Sequence, residues 1–325
     1  MSQQHPGKPD PSPARATAPE NDSTPAADTG TEPFVVAVVL TWNNFADTDE
    51  CLTSLMAQTY PNLQVLVVDN GSTDNSPVWL RQKWGEAVAV AESERNLGCG
   101  GGYAFGISRA LAQGADYVAL IDNDTVSAPG LIARLMATLR EDASAGLATA
   151  VMTYYDEPSR VWFARGRYSR FLGITRHAGL GADVSTLGAA SRGAYETEYV
   201  PSCAVLMSRQ ALEVVGLPDE RLFFGHDDVD WCLRARDAGF KLLVVAEPLV
   251  RHKVSTTGGR RGSLAFTDFS AYHHARGSMV MARRHARGWR LAPYLAGQVL
   301  VRWPYYSALM LREGRLTGPF SYLAG

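Results

Sequence analysis

Residues 34–40 read FVVAVVL and residues 65–69 read VLVVD. Neither run alternates apolar with polar side chains, which is the pattern of a strand covered on both faces in a parallel sheet. Between them, residues 47–58 place Leu52, Leu55 and Met56 at helical spacing, with Asp47 or Thr48 as the expected cap. Strand, helix and strand in that order make a β-α-β unit.

Outward from this unit the pattern repeats. The turn Asn70-Gly71-Ser72 leads to a predicted helix through Trp79 and Trp84, a short strand at 88–92, a helix from about Gly102 to Gln113, and the strand YVALID at 117–122. Such alternation predicts an α/β fold, a doubly wound sheet flanked by helices whose ligands gather at the carboxyl ends of its strands. Asp69 and Asp122 both stand at such ends. Further apolar runs follow at 146–152, 200–207 and 241–247, with a helix expected over 228–238. Residues 163–192, rich in Gly and Arg, read as an acceptor loop rather than as core.

A chain of 325 residues, 46% hydrophobic and 20% charged, is long and apolar enough for one large domain with an appendage, which excludes disorder for most of it. The net charge of -2 gives no global attraction to nucleic acid, so no such partner is expected. Cys51, Cys99, Cys203 and Cys232 form no Cys-x-x-Cys pair. That argues against a structural zinc site or a disulfide framework and fits a reducing, cytoplasmic compartment. Residues 1–33 are polar, lack the apolar core of a secretory signal, and read as a disordered tail. The expected organisation is this tail, a catalytic domain over 34–255, and a C-terminal helical region over 256–325 that opens on a Gly/Arg linker at 256–262.

Within that last region, residues 268–287 read as a basic helix carrying Arg276, Arg283, Arg284 and Arg287. Residues 294–311 are apolar and aromatic, but Arg302 and Pro304 interrupt them and make a poor membrane span. Two readings stand: a helix packed on the core, or peripheral contact of residues 270–311 with the inner face of the cell membrane.

Three acidic groups carry the candidate chemistry. Ile121-Asp122-Asn123-Asp124-Thr125 puts an Asp-x-Asp directly after a buried strand, where carboxylate oxygens suit Mg2+ or Mn2+ and the diphosphate such an ion holds. The same residues also make an ordinary turn before a helix near Pro129. Asp69 is placed to accept hydrogen bonds from a base or ribose, although Asn70-Gly71 reads equally as a plain turn. The run Asn96-Leu97-Gly98-Cys99-Gly100-Gly101-Gly102 opens a helix and lets backbone approach a phosphate or sugar, with a spacing unlike a Walker loop. Finally, Phe223-Phe224-Gly225-His226 precedes Asp227, Asp228 and Asp230 at a helix start. The macrodipole, or Arg234 four residues on, accounts for Asp230. Adjacent Asp227 and Asp228 raise one another's pKa, which suits a general base.

Taken in order, TWNN (41–44), VVDNGSTD (67–74), RNLGCGGG (95–102), LIDNDT (120–125) and HDDVDWCLRARDAG (226–239) resemble the signature series of the family 2 glycosyltransferases, over about residues 34–252. The resemblance implies a GT-A fold, inversion at the anomeric carbon, and a divalent ion, Mg2+ or Mn2+, that stabilises a nucleotide diphosphate leaving group. It further implies that Thr41, Asn43, Asp69, Asn96, Gly98 and Asp122 border the nucleotide sugar. Asp122 and Asp124 would hold the metal, joined by His252, which otherwise reads as a surface histidine. Asp228 would be the base, with Asp227 beside it.

Two departures bear on the sugar. Tyr103-Ala104-Phe105 replaces the paired asparagines of rhamnose-adding members, and Asp227-Asp228 replaces their Glu-Asp. Both look closer to galactofuranose-adding members, from whose triple aspartate Asp122-Asn123-Asp124 departs. The implied donor is a UDP- or dTDP-linked furanose or deoxyhexose. Its implied acceptor is a glycan or a lipid-linked precursor of the cell envelope. A nicotinamide-dependent oxidoreductase would need Gly-x-Gly-x-x-Gly in the first turn, which reads TWNNFADTD without a glycine. A nucleotide-sugar-binding scaffold that has lost turnover is the alternative.

Overall fold

The valine-rich run forms strand β1 (Val35–Thr41), in which Val35 through Val39 are wholly excluded from solvent. Each valine so buried is worth roughly 1.5–3 kcal/mol, which explains the lack of a polar face. The computed structural model describes residues 31–187, 193–254, 267–312, 314 and 316–325. Residues 1–30 of the tail expected over 1–33, and the expected linker at 256–262, lie outside the described residues.

From β1 the chain passes through α1 (Phe45–Met56) to β2 (Leu63–Asp69), and through α2 (Ser76–Trp84) to β3 (Ala89–Glu92). Asn44, rather than Asp47 or Thr48, caps α1 by accepting a hydrogen bond from the Asp47 N–H at 3.3 Å. Helix α3 (Gly98–Ala112) leads to β4 (Tyr117–Asp122) and the short β5 (Thr125–Ser127). This helix starts at Gly98 and not at Gly102, because its glycines are packing positions. A Cβ on Gly100 would stand 2.5 Å from the Asp219 carbonyl oxygen, and one on Gly102 the same distance from a Leu40 methyl.

Next come α4 (Leu131–Glu141), β6 (Ala145–Tyr154), β7 (Val161–Phe163), β8 (Arg165–Ser169), β9 (Ile174–Ala178) and β10 (Ala194–Glu196). The Gly- and Arg-rich stretch expected to be loop therefore contains strands, with β8 and β9 forming an antiparallel hairpin. Gly166 and Tyr168 point inward while Arg167 points out, so the alternation is real but glycine hides it. The sheet-bearing part of the chain ends with β11 (Ala204–Ser208), α5 (Arg209–Val215), α6 (Asp227–Asp237) and β12 (Lys241–His252).

The mixed sheet runs β10-β12-β6-β11-β4-β1-β2-β3, with β5 added to β12 and β7 to β6. Strands β4, β1, β2 and β3 are parallel, and β11 runs antiparallel between β4 and β6. Helix α3 packs on β1 and β2, and α4 on β6 and β12.

Beyond residue 266 the chain is helical: α7 (Asp268–His285), α8 (Leu291–Gly297), a π-helical turn Gln298–Arg302, α9 (Trp303–Arg312) and α10 (Gly318–Ala324). These helices belong to the same compact unit as the sheet, Pro33–Gly325. The side chain of Gln298 donates to the Leu172 carbonyl at 3.0 Å, tying the π-helical turn to the β8–β9 hairpin. Among the described residues, no helix is long and apolar enough to cross a membrane.

Candidate active site

Sheet register assembles the site. Thr41 lies opposite Asp69 and Leu40 opposite Asp122, so Thr41, Asp69 and Asp122 end three neighbouring parallel strands. Loops leaving these ends are bonded to one another. The Asn123 amide donates to the hydroxyls of Thr41 and Thr48 at 3.3 and 3.0 Å. Asn43, held at φ 50, accepts from the Thr73 N–H at 2.7 Å and the Asp74 N–H at 3.3 Å. Its side chain thus fixes one loop against the next.

Asp69 accepts from the Ser72 N–H through Oδ2 at 3.0 Å, while its buried Oδ1 has no hydrogen-bond partner. A buried acceptor without a donor is costly unless something else supplies one. Asn70 staples the entry to α3, accepting from the Leu97 N–H at 2.9 Å and donating to the Gly98 carbonyl at 3.1 Å. Asn96 accepts from the Gly98 N–H at 2.8 Å. Both Asn96 and Gly98 thereby shape the turn between β3 and α3, where Gly98 takes the left-handed backbone that glycine favours, φ +72.

Asp122 and Asp124 flank the turn between β4 and β5. His252, the last residue of β12, pairs with Thr125 of β5, which places its ring beside Asp124 at 3.1 Å, Nε2 to Oδ1. The Trp162 ring stands edge-on to His252, 4.3 Å between centroids. His252 is buried and its Nδ1 has no hydrogen-bond partner, so it is not a surface histidine. Burial opposes its charge, but Asp124 and Asp122 outweigh burial and raise its pKa. Burial, with the Asp124 charge added, pushes Asp122 up to about 6. The Tyr103 hydroxyl donates to Asp122 Oδ1.

Opposite these groups stands the N-terminus of α6. Gly225 and His226 both take positive φ, 74 and 70, and turn the chain so that the helix begins with Asp227. The His226 ring is buried against the C-terminal helices, its Nε2 being 3.3 Å from the Ser278 hydroxyl and 3.4 Å from the Arg302 guanidinium. Burial and then the Asp228 charge push Asp227 well up, and burial pushes Asp228 up to about 6. The charge of Asp122 raises both as well, so the strand-end and helix-end acids share one electrostatic site. Tyr103, Ser202, Asp227, Asp228 and Trp231 line a common cavity.

Asp230, on the same turn of α6, faces elsewhere. Beyond the expected Arg234 at 2.9 Å, it binds Arg284 at 2.6 Å and His285 at 2.8 Å. Sequence reasoning also missed Tyr103, one turn into α3, and Lys253. The Lys253 ammonium donates to Asp47 and Glu50, both at 2.5 Å, and pins the end of β12 to α1. A lysine directly after His252 was visible in the sequence, but its partners lie about two hundred residues away.

Acids at the ends of neighbouring parallel strands within a mixed sheet, with a second acidic pair at a helix N-terminus, fit the GT-A arrangement. Residues 36–215 match Glycosyl transferase family 2, and the chain belongs to that family. It is 31% identical over 203 residues to the galactofuranosyltransferase GlfT1 of Mycobacterium tuberculosis, covering 60% of this chain and 62% of that protein. The match therefore spans less than two thirds of that relative. An N-acetylglucosaminyl-diphospho-decaprenol L-rhamnosyltransferase of the same species is 26% identical over 303 residues, covering 85% of this chain and 90% of the relative. Among solved structures, the mannosyltransferase PcManGT from Pyrobaculum calidifontis, in complex with GDP-Man and Mn2+, superposes with a TM-score of 0.54 at 19% identity. That alignment covers 90% of this chain and 86% of the mannosyltransferase, and it shows the shared fold.

Proposed function

We propose that the chain is a metal-dependent, inverting glycosyltransferase that moves a rhamnose- or galactofuranose-like sugar from a UDP- or dTDP-linked donor to a hydroxyl of a glycan or lipid-linked cell-envelope precursor. The observation that supports it best is the convergence of Asp122, Asp124 and His252 opposite Asp227 and Asp228, with Asp122, Asp227 and Asp228 raised by burial first and by neighbouring carboxylates second. Such repulsion is relieved by a cation, and the donor set of two carboxylates and an imidazole fits one. The names of the relatives support the two sugars, and the mannosyltransferase complex with GDP-Man and Mn2+ supports a nucleotide donor and a divalent ion.

Each residue then has a role. Thr41, Asn43, Asp69, Asn96 and Gly98 border the nucleotide, Asp69 offering its unpartnered Oδ1 as an acceptor. Asp122 and Asp124, with His252, would hold Mg2+ or Mn2+, which when bound supplies counter-charge to the diphosphate. Asp228 takes the proton of the acceptor hydroxyl as that oxygen attacks the anomeric carbon in line with the departing diphosphate. Asp227, whose carboxyl is raised by burial and then by the Asp228 charge, stands beside it on the same helix start.

The C-terminal helices support a lipid-linked acceptor. Trp289, Leu300, Leu316 and Phe320 are each more than 70% exposed, and Arg283, Arg287 and Arg290 are exposed in the first part of the same region. Apolar side chains with arginines suit an anionic bilayer surface. Flotation with anionic vesicles should carry the wild type upward and leave a Trp289→Ala, Leu300→Glu variant behind; an unbound wild type would remove the membrane from this reading. For the reaction itself, UDP- and dTDP-sugars are incubated with Mn2+ and acceptor, and the products are read by mass spectrometry. Turnover of a furanose or deoxyhexose donor is expected. Binding without turnover across the panel would leave a scaffold instead.

A further inference from the structure

We infer that Cys203 forms, with Asp122 and His252, a second coordination set that takes thiophilic cations such as Zn2+ or Cd2+. The Cys203 sulfur, a carboxylate oxygen of Asp122 and a ring nitrogen of His252 all lie within 4.8 Å of one another. All three are fixed by the sheet. Cys203 stands just before β11, and its carbonyl accepts from the Asp122 N–H at 3.0 Å, locking the two residues side by side. Strand β12 delivers His252 through its pairing with β5. The His252 Nδ1, in a residue 93% buried, has no hydrogen-bond partner. Its other nitrogen meets Asp124, the arrangement in which a carboxylate orients a metal-binding imidazole.

The character of the donors decides which ions the set prefers. Two carboxylates suit a hard ion such as Mg2+, and an ion of that kind has little use for sulfur. One thiol, one imidazole and one carboxylate suit Zn2+ and Cd2+, leaving a fourth position open. The Met152 thioether, 3.4 Å from the Cys203 sulfur, adds to the softness of this wall. An ordinary cysteine thiol carries its proton at neutral pH. A thiophilic dication displaces that proton to solvent as the sulfur–metal bond forms, so binding releases one proton for the thiol. Because Asp122 belongs to both sets, an ion bound to Cys203 blocks the hard-ion site. Cys51, the other thiol at this turn, points its S–H at the Asp122 carbonyl, 3.6 Å away, and serves as the control.

This set can be tested without any sugar transfer, so its failure is distinct from failure of the proposed function. Cd2+ is titrated into the full chain while the ultraviolet thiolate-to-cadmium absorption band is recorded. A band saturating at one equivalent is expected in the wild type and in Cys51→Ser, and no band in Cys203→Ser. Cadmium affinity in Cys203→Ser should fall by at least roughly tenfold, the low end of what perturbing a metal site costs, while Mn2+ affinity stays unchanged. Cadmium NMR of the wild type reads sulfur ligation directly and needs no variant that folds. An all-oxygen cadmium resonance, or a band that persists in Cys203→Ser, would overturn the inference.

Discussion

Asp228 and Asp230 are two residues apart on α6, yet their surroundings differ in kind. Asp230 is wholly buried and bonded to Arg234, Arg284 and His285. Burial opposes its charge, but those three partners outweigh burial and hold its pKa below the usual carboxylate range. Asp228 is half-buried and accepts from the adjacent Val229 N–H at 2.7 Å, and burial pushes its pKa up to about 6. One acid spends its charge on holding α6 to α7. The other keeps basicity in reserve, and the difference separates structural from chemical roles on a single helical turn.

The largest effect should come from the metal-holding side of the site. Asp124→Asn is expected to cut Mn2+-supported transfer by several kcal/mol of barrier, with donor-dependent Mn2+ binding weakened in a calorimeter. Asp230→Asn should break the comparison from the other side, costing about 3–5 kcal/mol in urea denaturation, because it removes the wholly buried carboxylate that Arg234, Arg284 and His285 share. Donor affinity of the folded fraction should hold in that variant. Equal losses of stability in Asp124→Asn and Asp230→Asn would show that the two groups do not differ.

A smaller effect separates the two acids by pH. A carboxyl raised in the folded state favours folding while protonated, so its contribution falls as pH rises from the ordinary 3.8 to about 6. Asp230 acts with the opposite sign: its stabilisation is present above the ordinary aspartate value and lost as pH falls below it. Metal-free Asp228→Asn should therefore gain stability relative to wild type across that window, whereas Asp230→Asn should lose most at its upper end. Paired denaturation curves at several pH values would check both signs. Transfer itself should rise with pH along a limb at or below about 6, since a cation beside Asp122 would draw the raised Asp228 pKa back down.

Much of this contrast was legible in the sequence and some was not. FVVAVVL, VLVVD and YVALID announced buried parallel strands because their composition leaves no wet face, and the acids at two of their ends followed. Asp230 was readable as far as Arg234, one turn on. Its partners Arg284 and His285 were not, lying 54 and 55 residues away on a helix whose packing no local pattern encodes. Tyr103 was hidden for a related reason: its bond to Asp122 depends on α3 crossing β1, and its glycine-rich helix start read as a phosphate loop. The β8–β9 hairpin was missed because arginine and glycine disguised its alternation.

The most direct test of the account is the turnover of Asp228→Asn beside Asp227→Asn, with donor binding measured in both. The account predicts that Asp228→Asn loses roughly a hundredfold to ten-thousandfold in rate while binding donor normally, and that Asp227→Asn retains most of its activity. Near-normal turnover in Asp228→Asn, with loss in Asp227→Asn, would contradict it and move the base by one residue.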